Sequence, residues 1–220
     1  ESTFIPQVGK VAGDHRYSTA LFGLAHEMNK YGTLKTSFQK IYVTTTKLKK
    51  GSGYPAQIHK STNAKAPLAI LLNPLYSDEF SGQLNRQMDF FAKKGYHVIA
   101  FANPWSPEVI ANAPTWFPGD LWVEAPLHLE MINKVINDKF GGRQNISGAV
   151  LAGVSYGAFM SAVVKAYDQQ SGNPLITGPT LMMSPPIDMI NSLKVIDAQV
   201  ASVSYSDGIT CALGDGFYGI

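Results

Sequence analysis

Short apolar runs separated by stretches of helical spacing set the tightest limit on what this chain can fold into. Leu68-Ala69-Ile70-Leu71-Leu72 and His97-Val98-Ile99-Ala100-Phe101 are continuous apolar runs, as expected for strands covered on both faces. Ile146 to Ala152 and Thr180 to Met183 read as two further strands. Between them, Leu84, Met88 and Phe91 mark one face of a helix that Gly95 ends, and Leu121, Ala125, Leu129, Ile132 and Ile136 mark a second that runs to Gly141-Gly142. Strands alternating with helices imply an α/β fold, a mainly parallel sheet with helices on both faces. An antiparallel pair precedes it: Phe38 to Leu48 alternates as a strand, Gly51 to Pro55 turns, and Ala56 to Lys60 returns. A helix is expected over about Ser18 to Tyr31 and another over Ile187 to Val200, with a loop-like tail from Ser204 to Ile220.

A chain of 220 residues is expected to form one domain, residues 1–220, with its core at 35–190. A net charge of +2 and no basic run beyond Lys47-Leu48-Lys49-Lys50 give no reason to expect a nucleic-acid partner. The single Cys211 excludes an internal disulfide and thiolate metal cages, and His15 and His26 lack metal-ligand spacing, so neither metal nor cofactor is assigned. No apolar stretch reaches the length of a membrane span. A soluble protein is expected, its compartment undetermined; Glu1 in place of Met leaves room for a removed signal peptide. A Rossmann cofactor enzyme is disfavoured, because no Gly-x-Gly-x-x-Gly turn follows a strand.

The chemistry lies in Gly153-Val154-Ser155-Tyr156-Gly157. With 20 glycines in the chain, chance supplies roughly 0.14 such pentapeptides, so the motif alone is weak. Its setting gives it meaning. The Ile146 to Ala152 strand runs into it, and Ala158 to Tyr167 continues with helical character. Strand, sharp turn and helix form the context in which Gly-x-Ser-x-Gly makes a nucleophile elbow, with the flanking glycines there because side chains would collide with strand and helix.

The order of elements and the Leu151-Ala152-Gly153-Val154-Ser155-Tyr156-Gly157-Ala158 run resemble the α/β-hydrolase superfamily of serine esterases, lipases and peptidases, over roughly Phe38 to Met189. The resemblance implies that Ser155 is the nucleophile and that the backbone N–H of Tyr156 is one oxyanion-hole donor. The second donor is expected from Asn73-Pro74-Leu75-Tyr76, where many relatives have His-Gly at the first two positions. Pro74 has no N–H, so Leu75 takes that role ahead of Tyr76.

There the pattern departs from the family. Triads of this superfamily run Ser, acid, His, yet His15, His26, His59, His97 and His128 all precede Ser155. The strands that carry the family's acid and histidine have no counterpart before Ile220. Three arrangements stay open: an incomplete domain whose acid and base lie in a further C-terminal segment of the same gene product, a catalytically silent binding or scaffold protein, or a base from the N-terminal half. In the first, residues 191–220 begin a lid, cap or tail, and a sheet stopping at its sixth strand has an apolar open edge.

The remaining residues carry two readings each. Asp188 occupies a place where some relatives hold the acid, though a carboxylate beside the dipole of the following helix is the favoured reading. His97 is expected to be structural at the sheet's far edge and His128 to lie on a helix surface. Asn103 to Asp120 is too proline-rich for one helix and too aromatic for a solvated loop. Its Trp105 and Trp116, with Phe117 and Trp122, either wall an acyl pocket or pin the connection by local packing; Tyr76 either reaches substrate or packs on Phe80. The expected activity is hydrolysis of a small carboxylic ester or related acyl substrate.

Overall fold

The structure, a computed structural model, describes residues 37–49, 52–75, 82–112 and 115–202. The helix expected at Ser18 to Tyr31, Tyr76, Phe80, Cys211 and the tail from Ser204 lie outside these. Six strands form one sheet: β1 (Gln39–Val43), β2 (Tyr54–His59), β3 (Ala66–Leu72), β4 (His97–Phe101), β5 (Ile146–Val154) and β6 (Thr180–Met183). Among the described residues the helices are α1 (Gly82–Lys93), α2 (Pro107–Ala111), α3 (Leu121–Phe140), α4 (Tyr156–Gln169) and α5 (Met189–Ser202), with a 3-10 turn at Arg143–Asn145. The strand order is β1-β2-β4-β3-β5-β6. β1 pairs antiparallel with β2, and β2 antiparallel with β4. β4, β3, β5 and β6 run parallel, as the strand–helix alternation requires.

The pleat decides which helix each side chain meets. Ile58, Ile99, Ile70 and Leu151 align across four strands. All four are buried in one cluster with Met131, Ile132 and Ile136 of α3 and Met160 and Val164 of α4. Their neighbours Ala69, Leu71, Val98, Ala100 and Ala152 point to the opposite face, against Leu84 and Met88 of α1. The apolar runs of β3 and β4 are therefore buried on both sides.

Helix α3 corrects two expectations. Its buried residues are Glu124, Ala125, Leu127, His128, Met131, Ile132, Val135, Ile136 and Phe140, while Leu121 and Leu129 are only partly buried. The true stripe follows 124, 128, 131, 135 with their neighbours, a regular helical spacing that two polar members disguise. His128 is therefore a core residue, 2 % exposed, and not the surface residue its polarity suggests. The helix starts on Asp120, whose carboxylate accepts from the Trp122 N–H, and ends at Gly141 in the left-handed conformation (φ 79°).

β6 is unlike the other parallel strands. Among the described residues it pairs with β5 alone, and Leu181 and Met182 are 54 % and 47 % exposed. Ile187, Ile190, Leu193 and Val195, at and beyond the start of α5, are exposed as well. Asp188 caps this helix: its carboxylate accepts from the Asn191 N–H at 2.8 Å, the favoured of its two sequence readings.

Ile70→Ala, in the middle of the buried row, is expected to destabilise the fold by about 2–5 kcal/mol. Leu181→Ala on β6 is expected to change stability by no more than about 0.5 kcal/mol. Urea unfolding of both variants checks the contrast.

Candidate active site

Ser155 joins the end of β5 to the start of α4 and adopts φ 52°, ψ −120°. A non-glycine residue at such angles costs about 1–3 kcal/mol and persists only where its surroundings over-determine it. Here they do. The Ser155 N–H donates to the Met183 carbonyl of β6 at 2.9 Å, and its own carbonyl accepts from Ala158 and Phe159 at 3.0 and 3.1 Å. The side chain makes no capping bond within the helix, and the residue is half-buried.

The two flanking glycines have no room for anything larger. A Cβ on Gly153 would lie 2.2 Å from the Gly157 carbonyl oxygen. One on Gly157 would lie 2.1 Å from the Leu72 oxygen and 2.6 Å from that of Asn73. The segment after β3 is thus packed backbone to backbone against the first turn of α4. Tyr156 opens that helix, so its N–H has no acceptor within its own helix. The segment is itself anchored. Asn73 Nδ2 donates to the Phe101 carbonyl at 3.0 Å, the Asn73 carbonyl accepts from Asn103 Nδ2 at 3.0 Å, and Asn103 Oδ1 accepts from the Trp105 N–H at 2.9 Å. Leu75 packs its partly buried side chain on the core.

Beneath Tyr156 lies a polar cluster that the sequence reading passed over. The buried Glu124 carboxylate accepts from the Tyr156 hydroxyl at 2.6 Å, the Gly119 N–H at 2.7 Å and the Trp116 indole at 3.3 Å. Burial pushes the Glu124 carboxyl up, and the three donors offset part of that rise. Burial, then the Glu124 charge and the bond to it, push the Tyr156 hydroxyl up, which keeps it a donor. Trp105 also shares a side-chain hydrogen bond with Tyr156. An indole N–H can only donate, so the Tyr156 hydroxyl accepts from Trp105 while donating to Glu124.

The aromatic residues divide. Trp116 is 8 % exposed inside the core, which fits local packing of the connection. Trp105 is half-buried and meets Phe117 edge to face, while Phe117 and Trp122 are exposed.

Of the histidines among the described residues, His59 and His97 stand at the far end of the sheet. His97 opens β4, which runs parallel through β3 to β5, and Val98 pairs with His59. His97 is buried, stacks on Phe140 and accepts from the Ser61 N–H at 3.1 Å, the structural role expected of it. His128 lies at the Ser155 end, lining a hollow of about 10 Å³ with Asn73, Asn103, Pro104, Tyr156 and Gly157. Its Nδ1 is 2.7 Å from the Glu124 carbonyl. A carbonyl only accepts, so Nδ1 carries the proton. Burial lowers its pKa to about 4, against a smaller opposing effect of that bond.

Among the described residues, no group of three or more His, Cys, Asp or Glu could hold a metal ion, and no helix is long and apolar enough to cross a membrane.

Neither a protein-family model nor a curated protein matches the chain. Solved structures do. An esterase of Pyrococcus furiosus superposes with a TM-score of 0.58 at 16 % identity, over 78 % of this chain and 58 % of that one. A Butyrivibrio proteoclasticus protein with ferulic acid bound gives 0.51 at 13 %, over 66 % and 52 %. A thermostable carboxylesterase cloned from a metagenomic library gives 0.50 at 16 %, over 70 % and 48 %. These likenesses identify the α/β-hydrolase fold. The chain spans about half the length of the structures it matches.

Gly157→Ala is expected to destabilise the protein by about 3 kcal/mol or more, because the new methyl meets carbonyl oxygens with no freedom to move aside; thermal unfolding measures it. His128, with a folded pKa of about 4 against 6.5, stays neutral in the fold while the unfolded chain takes up a proton. Stability is therefore lost as pH falls through that interval, with His97 adding the same sign. In urea titrations at several pH values, His128→Leu is expected to give a shallower dependence than the parent.

Proposed function

We propose that this chain carries the nucleophile of a serine hydrolase acting on carboxylic esters or related acyl substrates. In this reading the Ser155 hydroxyl adds to the acyl carbonyl carbon as its proton passes to a base. The carbonyl electrons move onto oxygen, and the backbone N–H groups of Tyr156 and Leu75 hold that oxyanion. The oxyanion collapses, the alcohol leaves with a proton, and water releases the acid from Ser155. Trp105 borders the acyl or alcohol part of the substrate, the role also expected of Tyr76, which lies outside the described residues. No cofactor enters these steps.

The observation that carries the reading is the strained backbone of Ser155 (φ 52°, ψ −120°) between two glycines that cannot be replaced without collision. Backbone strain of this kind is retained where it serves a site. Its position supports the same view: Ser155 follows the carboxyl end of a parallel strand, where sites of open α/β sheets lie. The esterases among the superposing structures add weight at the level of fold.

The acid and the base come, in this proposal, from a further segment of the same gene product. The half-exposed β6 edge with Leu181 and Met182 supports it, since a strand added there would cover them. His128 is a poor substitute: a base of pKa about 4, its Nδ1 committed to Glu124, takes up protons weakly near neutrality. A catalytically silent protein of the same fold is the competing reading.

The full-length gene product is expected to be labelled by a fluorophosphonate probe at Ser155, and Ser155→Ala to abolish the label. Folded full-length protein that stays unlabelled overturns the enzymatic reading in favour of the silent one.

A further inference from the structure

We infer that Glu124 is a positioning residue: its carboxylate, buried in α3 and 2.6 Å from the Tyr156 hydroxyl, fixes the direction of the Tyr156 backbone N–H beside Ser155. The inference rests on the proposed role of that N–H as oxyanion donor. Tyr156 is the first residue of α4 and directly follows the strained serine. The direction of its N–H is set by two torsions, ψ of Ser155 and φ of its own. A side chain pinned at its far end restricts both, because the ring, 4 % exposed, cannot swing without breaking the bond at its tip.

Glu124 is suited to be that pin. Both its oxygens are engaged, Oε1 by Gly119 and Trp116 and Oε2 by Tyr156. Its backbone carbonyl accepts from His128 one turn on. The carboxylate's partners come from two other stretches of chain, so it joins α3 to the Trp116–Gly119 end of the tryptophan-rich connection and to the start of α4. A buried carboxylate is a costly residue to place in a core stripe unless it is fully bonded. An apolar residue there would pack the helix equally well but would leave Tyr156, Gly119 and Trp116 without an acceptor.

The carboxylate itself makes no contact with the reacting atoms in this scheme. It acts through Tyr156, and its removal should slow the chemical step without weakening ground-state binding.

The test uses full-length gene product with Tyr156→Phe, Glu124→Gln and the double variant. Phenylalanine keeps the ring and the backbone N–H and deletes only the pinned oxygen. Folding is checked by circular dichroism, and active sites are counted by fluorophosphonate titration. Each single variant is expected to lower kcat on a p-nitrophenyl ester about tenfold with KM unchanged, less than the roughly hundredfold cost of losing an oxyanion donor outright. The double variant is expected to be no slower than the slower single variant, since Tyr156→Phe already removes the hydroxyl through which Glu124 acts. Wild-type kcat in Tyr156→Phe, or losses that multiply in the double variant, overturn the inference while Ser155 labelling in the parent upholds the enzymatic reading. An unlabelled parent overturns both. If Glu124→Gln does not fold, Tyr156→Phe decides alone.

Discussion

The Ser155 end of this sheet depends on two stretches of backbone touching with no side chain between them. Gly157 lies against the carbonyls of Leu72 and Asn73, and Gly153 against the carbonyl of Gly157 itself. A single methyl at either point would separate β3 from α4 or β5 from α4. That contact brings the segment after β3 beside the first turn of α4, and it leaves Ser155 at the outer bend of a turn too tight to relax. Three-way anchoring maintains the arrangement: Met183 holds the serine N–H from β6, Asn103 holds the Asn73 carbonyl from beyond β4, and Glu124 holds Tyr156 from α3.

These anchors are polar groups placed in an otherwise apolar interior. Asn73, Asn103, Glu124 and His128 are each almost wholly buried, and each has a hydrogen-bond partner. Buried polar groups of this kind contribute little net stability, and their removal singly leaves partners exposed to a large desolvation cost. Their value lies in fixing one arrangement of loops and helices where an apolar core would tolerate several. They cluster at the end of the sheet that holds Ser155, while the opposite end is closed by stacking of His97 on Phe140.

The parts legible in the sequence are those governed by local or periodic rules. The apolar runs of β3 and β4, the Gly95 and Gly141 helix ends and the tight turn at Ser155 follow from alternation, backbone freedom and steric exclusion, all of which act between near neighbours. The pairing of β2 with β4 and not with β3 was not legible, since nothing in Tyr54 to His59 names a partner. The core face of α3 was misread for a related reason. Polarity marked His128 as outward and left Glu124 unread, whereas distant partners, Tyr156 and Trp116 for Glu124 and an aromatic surround of Tyr54 and Phe101 for His128, make burial acceptable. A polar residue falling on a regular i, i+4 apolar stripe was the signal available.

The three tryptophans occupy graded surroundings, which gives the protein a built-in set of optical reporters. Trp122 is 83 % exposed and Trp116 8 %, with Trp105 between them and tied to Tyr156. An aqueous quencher such as iodide reaches the first and not the second, so the shielded emission belongs to the indole seated on Glu124. Changes in that component on adding a ligand therefore report on the ground beneath Ser155, with no label attached.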